Sequence, residues 1–160
     1  MKLNGFLYFW ALLAALVAAL SLGPSFAHVL EAAPRLWRWQ PELWREATVF
    51  NGQFWMFAAV GAPLDIAAVL CPGVLAWLLY GDRPASMLAL AAAVLFALAL
   101  ATWFAWVNPA NAVLATWQPG PVPADFDAVR LRWETGHMAV AAIKLVGFVC
   151  LAGSLLSMRR

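Results

Sequence analysis

The sequence predicts an all-α integral membrane protein, a polytopic four-helix bundle with both termini on the same side. Hydrophobic residues make up 65% of the 160-residue chain and charged residues only 11%, too little polar surface for a soluble domain of this size. Four apolar stretches are long enough to cross a bilayer, whose hydrocarbon layer takes about 20 helical residues. Charged and Pro/Gly-rich breaks of the kind that end helices separate them. Residues 1–160 form one transmembrane domain with no internal repeat.

The first helix is expected over about 5–31, because Asn4 to Ala27 carries no charge and Lys2 stands just before it. A rival reading takes Ser25-Phe26-Ala27 as a signal-peptide cleavage site, which would leave His28 as a copper-chelating N-terminus. The apolar run exceeds the roughly 7–15 residues of a signal core, so an uncleaved helix is expected. Residues 32–41 read as an interfacial connector. Arg35, Arg38 and Arg45 alternate there and just beyond with Trp37, Trp39 and Trp44, as at a membrane–water boundary, and Pro34 and Pro41 punctuate them.

The second helix is expected over about 42–80, longer than a bilayer needs and kinked near Gly61 and Pro63. Gly81-Asp82-Arg83-Pro84 reads as a tight turn. A third helix, rich in Ala and Leu, is expected over about 84–107, followed by a Pro-rich loop over 108–124. The fourth is expected over about 125–158, with Asp125 as N-cap and Asp127 as first-turn acid. Lys and Arg flanking the spans number four on the terminal side and five on the other, which by itself gives no orientation. Several of the five have site or interface duties, so cytoplasmic termini are expected.

A net charge of +2 without a basic block argues against a nucleic-acid partner. Cys71 and Cys150 are too few and too isolated for a disulfide framework or a zinc ribbon, and read as packing residues.

The chemistry gathers on the last helix. Arg130, His137 and Lys144 are spaced by seven, with Trp133 and Glu134 beside them, so one helix carries a polar stripe through an apolar surface. Such a stripe must face protein or trapped water inside a membrane. Counting residues from the terminal side puts His28 and His137 at one level, about 32–35 Å up, with Glu31 and Glu134 one turn further out. The same count sets Asp65 level with Lys144, as a neutralising pair.

Three readings of the His28/Glu31 and Glu134/His137 pairs stand open. They suit a single transition metal ion, or a haem between the two histidines. A dinuclear site lacks the acids it needs from the other two helices. Without metal, a histidine oriented by a glutamate suits proton abstraction from a carbon acid. The third reading is structural, with these groups bonding one another. Arg130 either pairs with Glu134, four residues on, or holds a substrate oxyanion.

Three motifs carry a resemblance. Ala27-His28-x-Leu30-Glu31-x-x-Pro34, Asn108-Pro109-Ala110-Asn111 and Arg130-x-Arg132-Trp133-Glu134-x-x-His137 together resemble the anthrone oxygenase-like family. These are small four-helix membrane proteins, most of them bacterial. Named members oxidise anthrones to anthraquinones with dioxygen during polyketide biosynthesis, with no obvious cofactor. The resemblance implies functional roles for Asn108, Asn111, Trp133, Glu134 and His137, while His28 and Glu31 match a bacterial subgroup. It implies a multi-pass protein of the bacterial inner membrane.

The expected function is therefore a membrane oxidoreductase acting on an apolar aromatic or quinone-like molecule. The alternative is a non-catalytic subunit or assembly factor of a larger membrane complex, docked through its Arg/Trp connector.

Overall fold

The computed structural model describes residues 5–52 and 54–158, with Phe54 as backbone only. Four long apolar helical spans dominate it: Gly5–Trp37, Phe57–Leu78, Arg83–Leu114 and Phe126–Ser157. No strand occurs among the described residues. The expected all-α four-helix membrane bundle is the observed one.

Helix α1 (Gly5–Trp37) continues into the first part of the stretch expected as a connector, with Pro24 and Pro34 inside it. A proline removes only its own amide donor, and apolar surroundings favour keeping the remaining backbone bonds internal. The helix closes when the amides of Arg38 and Trp39 both donate to the Pro34 carbonyl at 3.0 Å. This correction matters, because it carries Arg35 into the bundle.

The second span is interrupted rather than continuous. Helix α2 (Pro41–Arg45) passes into a π-helical turn at Glu46–Phe50. The chain then breaks at Asn51-Gly52, where Gly52 adopts φ +73°, a conformation open to glycine without strain. A short α3 (Phe54–Met56) and a second π-turn (Phe57–Gly61) lead into α4 (Ala62–Leu78). The irregularity expected at Gly61 and Pro63 is present as this widened turn. The sharper break lies ten residues earlier, where Gly52 leaves right-handed helix.

Helix α5 (Arg83–Thr102) continues through a third π-turn (Trp103–Val107) into α6 (Asn108–Leu114). Asn108 to Leu114 is therefore helical and not part of the loop. Two of the three π-turns end just before a proline, Pro63 and Pro109. A proline cannot donate to the carbonyl four residues back and its ring crowds that carbonyl, so a widened turn accommodates it. Helix α7 (Phe126–Ser157) matches its expected span, although Asp125 makes no side-chain cap bond.

Two clusters form the core. Near the chain ends Leu7, Ala14, Ala18, Leu75, Ala89 and Leu151 pack together, small residues letting the helices approach closely. Toward the α1–α2 connector the core turns aromatic, with Trp44, Trp117, Phe126 and Trp133. Gly147 of α7 lies close against α5, where an added Cβ would meet Leu95 Cβ and the Phe96 ring at 3.2 Å.

Candidate functional site

Helices α1 and α7 carry matching polar stripes. Ser21, His28 and Arg35 stand seven apart on α1, and His137 and Lys144 stand seven apart on α7, with Glu134 one turn before His137. Running in opposite directions, the helices pair these groups as the rungs of a ladder.

The outermost rung is an ion pair. Arg35 donates through Nε to Glu134 Oε1 at 2.6 Å and through Nη2 to Thr48 Oγ1 at 2.6 Å. Trp44 Nε1 donates to the same carboxylate oxygen at 2.7 Å. Glu134 is fully buried and Arg35 is 3% exposed, so each charge depends on the other for its stability. Three indole rings surround the guanidinium, with its carbon 5.1, 5.4 and 5.3 Å from the centroids of Trp39, Trp44 and Trp133. Aromatic faces attract a cation most where water is excluded, so this cage adds to the ion pair.

The middle rung is the histidine pair. The rings of His28 and His137 stack with centroids 4.1 Å apart and planes 23° from parallel. Trp133 meets both edge-on, at 4.3 Å from His137 and 5.2 Å from His28, and Phe57 lies 6.0 Å from His28. Both imidazoles are half-buried. The Trp133 indole is held in turn by Asn111, whose Oδ1 accepts from Nε1 at 2.8 Å.

The innermost rung lies deep in the bundle. Lys144 Nζ donates to Asp65 Oδ1 at 2.6 Å, to Ser25 Oγ at 3.0 Å and to the Ser21 carbonyl at 3.3 Å. Ser21 Oγ donates to the same Asp65 oxygen at 2.6 Å. The expected Asp65–Lys144 pair is therefore present, with two serines of α1 completing its hydrogen bonds.

Other expected site residues fall elsewhere. The Glu31 side chain is 60% exposed and reaches only Arg35 Nη1, at 3.8 Å, so it does not join the histidines. Arg130, only 15% exposed, lies over the Phe126 ring at 5.0 Å and pairs with Asp127 at 3.0 Å instead of Glu134, because Arg35 already holds that carboxylate. Asn108 is exposed. Of the pair Asn108/Asn111, only Asn111 touches the cluster, through Trp133.

A metal or haem shared by His28 and His137 does not fit. A ligating imidazole offers its nitrogen lone pair in the ring plane, about 2 Å from the metal. Rings stacked this close have planes side by side, so one ion cannot lie in both. An iron held between them would force the rings end-on and far apart. Among the described residues no three His, Cys, Asp or Glu side chains converge as metal ligands.

Arg35, Trp44 and Thr48 are the partners that sequence reasoning missed. Pro34 read as a helix stop, which set Arg35 apart in a connector. The signal was the unbroken spacing of seven from Ser21 through His28 to Arg35. Two polar atoms on the ladder, His28 Nδ1 and Glu134 Oε2, are buried without a hydrogen-bond partner among the described residues. Buried polar atoms of this kind are uncommon and mark places where a further polar group is accommodated. No family model, curated protein or solved structure matches the chain.

Proposed function

We propose that the protein is a membrane oxidoreductase acting on an apolar aromatic or quinone-like molecule, with the His28–His137 pair as its acid–base centre. The observation that carries this reading is the stacked, half-buried imidazole pair, flanked by Trp133 and Phe57 and holding an unpartnered Nδ1 on His28. Two full positive charges at that separation repel strongly, so the pair takes up at most one proton at a time, which leaves a neutral imidazole beside it as a base. Residues 55–60 beside the pair are all exposed, which leaves a lateral path from the bilayer for a flat, lipid-soluble molecule.

The chemistry that the family resemblance brings is balanced as follows. A histidine removes a proton from a ring CH2 of the anthrone, and the electron pair delocalises into the ring system. Dioxygen accepts the electrons. One of its oxygen atoms ends in the new quinone carbonyl and the other leaves as water. Trp133, fixed by Asn111, packs against both histidines and orients them, and Arg35–Glu134 holds α1 and α7 in the register that brings the histidines together. In this reading the chain lies in a bacterial cytoplasmic membrane with both termini on the cytoplasmic face.

Oxygen uptake and quinone absorbance with an anthrone, using the protein in lipid nanodiscs, test this proposal. His28→Phe and His137→Phe each keep an aromatic ring and should each lose nearly all activity. The double variant should be little worse, because members of one catalytic unit are not additive. An oxidation rate equal to that of the double variant or of empty nanodiscs would rule the enzyme out.

The second reading is a non-catalytic subunit of a membrane complex. The Arg35–Glu134–Trp44–Thr48 network favours it, because the atoms it bonds are committed to holding the helices together. It predicts a stoichiometric partner in gently solubilised membranes and no effect of the histidine variants on turnover.

A further inference from the structure

A second face of α7, distinct from the ladder, carries Arg132, Ala139 and Ile143. Together with Thr102, Ala105 and Trp106 it lines a groove of about 560 Å³. The walls are mostly apolar, yet an arginine stands at one end. Arg132 donates through Nε to the Trp106 carbonyl at 3.2 Å and through Nη2 to the Ala105 carbonyl at 3.5 Å. Both carbonyls belong to the third π-turn, so the irregular backbone fixes where the guanidinium sits.

Those bonds leave most of the five N–H donors of this arginine free. Arg35, Arg45 and Arg130 have carboxylates at 2.6, 3.7 and 3.0 Å respectively. Arg132 has none within ion-pair distance among the described residues. An exposed cation without an acidic partner, at the end of an apolar groove on a membrane span, is complementary to an anion with an apolar tail.

The groove also has the right length. Arg132 and Ile143 stand eleven residues apart on α7, about 16 Å at the helical rise. One leaflet contributes half of the hydrocarbon layer, about 15 Å. Trp106 lies beside the arginine, as indole rings do at the headgroup boundary.

We propose that this groove binds one anionic phospholipid of the surrounding bilayer, its phosphate on Arg132 and one acyl chain along Ala139 and Ile143. The site is separate from the histidine pair and does not depend on the oxidation chemistry.

The test reconstitutes the full chain in vesicles of equal phosphatidylglycerol and phosphatidylcholine, then weighs detergent-released protein by native mass spectrometry. One phospholipid should remain per chain, with phosphatidylglycerol favoured about fivefold, the effect of one cation at an anionic surface. Arg132→Gln should erase the preference while the protein stays folded, and Arg132→Lys should keep most of it. Ala139→Leu leaves the charge alone and fills the groove, so it should lower retention of both lipids. Equal retention of the two lipids by the unmodified chain overturns the proposal. So does a preference that survives Arg132→Gln, retention unchanged by Ala139→Leu, or a second copy of the chain in place of lipid.

Discussion

Near the chain ends, α1, α4, α5 and α7 pack as regular helices through Ala14, Ala18, Ala89 and Leu151, whereas near the connector Trp44 and Trp133 pack around buried charges and three π-turns interrupt the helices. The first region buys closeness with small side chains, and its interhelix hydrogen bonds are few and neutral, such as Ser154 Oγ to the Ala85 carbonyl at 2.7 Å. The second concentrates charge, aromatic rings and irregular backbone around one ion pair. Regular packing sets the register of α1 against α7, and the irregular half uses that register to bring polar groups face to face. Each region thus has its own characteristic weak point.

The sharpest way to break the comparison is to remove one charge from the outer rung. Arg35→Ala or Glu134→Ala should each destabilise by about 3–5 kcal/mol, because the remaining charge stays buried and unpaired. Replacing both with apolar residues, as in Arg35→Met with Glu134→Leu, should recover most of the loss. Reversible unfolding in bicelles measures this, and strictly additive losses would show that the two charges do not act as a pair.

The inner rung should be softer. Asp65 keeps 21% of its side chain exposed, and two serines share the hydrogen bonding of Lys144. Lys144→Ala, which leaves the partly exposed Asp65 with the Ser21 hydroxyl still donating to it, should therefore cost about 2 kcal/mol, below the range for a fully buried pair. A loss as large as that of Glu134→Ala would mean that the two rungs are equally sealed.

Glycines on α7 compare the two regions directly. A Cβ at Gly136 would lie 2.8 Å from Val107 Cγ2, while at Gly147 the nearest contacts are at 3.2 Å. Valine is stiff about χ1 and yields poorly. Gly136→Ala should cost about 1–2 kcal/mol and Gly147→Ala less, within the usual range for overpacking. The reverse order in thermal unfolding would place the tighter helix contact in the terminal half.

Trp44→Phe keeps the ring and removes one donor to Glu134 Oε1, which Arg35 still serves, so about 1 kcal/mol should be lost. Arg130→Ala removes a pairing with the exposed Asp127 and a cation–ring contact with Phe126 at 5.0 Å, and its effect should stay within about 1 kcal/mol. An Arg130→Ala loss matching that of Arg35→Ala would reverse the assignment of the buried arginine.

The spans, the absence of a soluble class and the shared level of His28 with His137 and of Asp65 with Lys144 were legible from composition and helical spacing alone. These are local and periodic properties, and a bilayer of fixed thickness turns residue counts into depths. The partner of Glu134 was not legible. Arg130 stands one turn away on the same helix and Arg35 stands beyond a proline, so local rules favour the wrong arginine. Which one enters the core depends on α1 continuing past Pro34, and on the rotation that sets Ala14 and Ala18 of α1 into the core shared with Leu151. A lone helix has no means of choosing that rotation. Only the packed bundle does, because burying Glu134 requires a cation from a neighbouring helix, and the geometry places Arg35 within its reach.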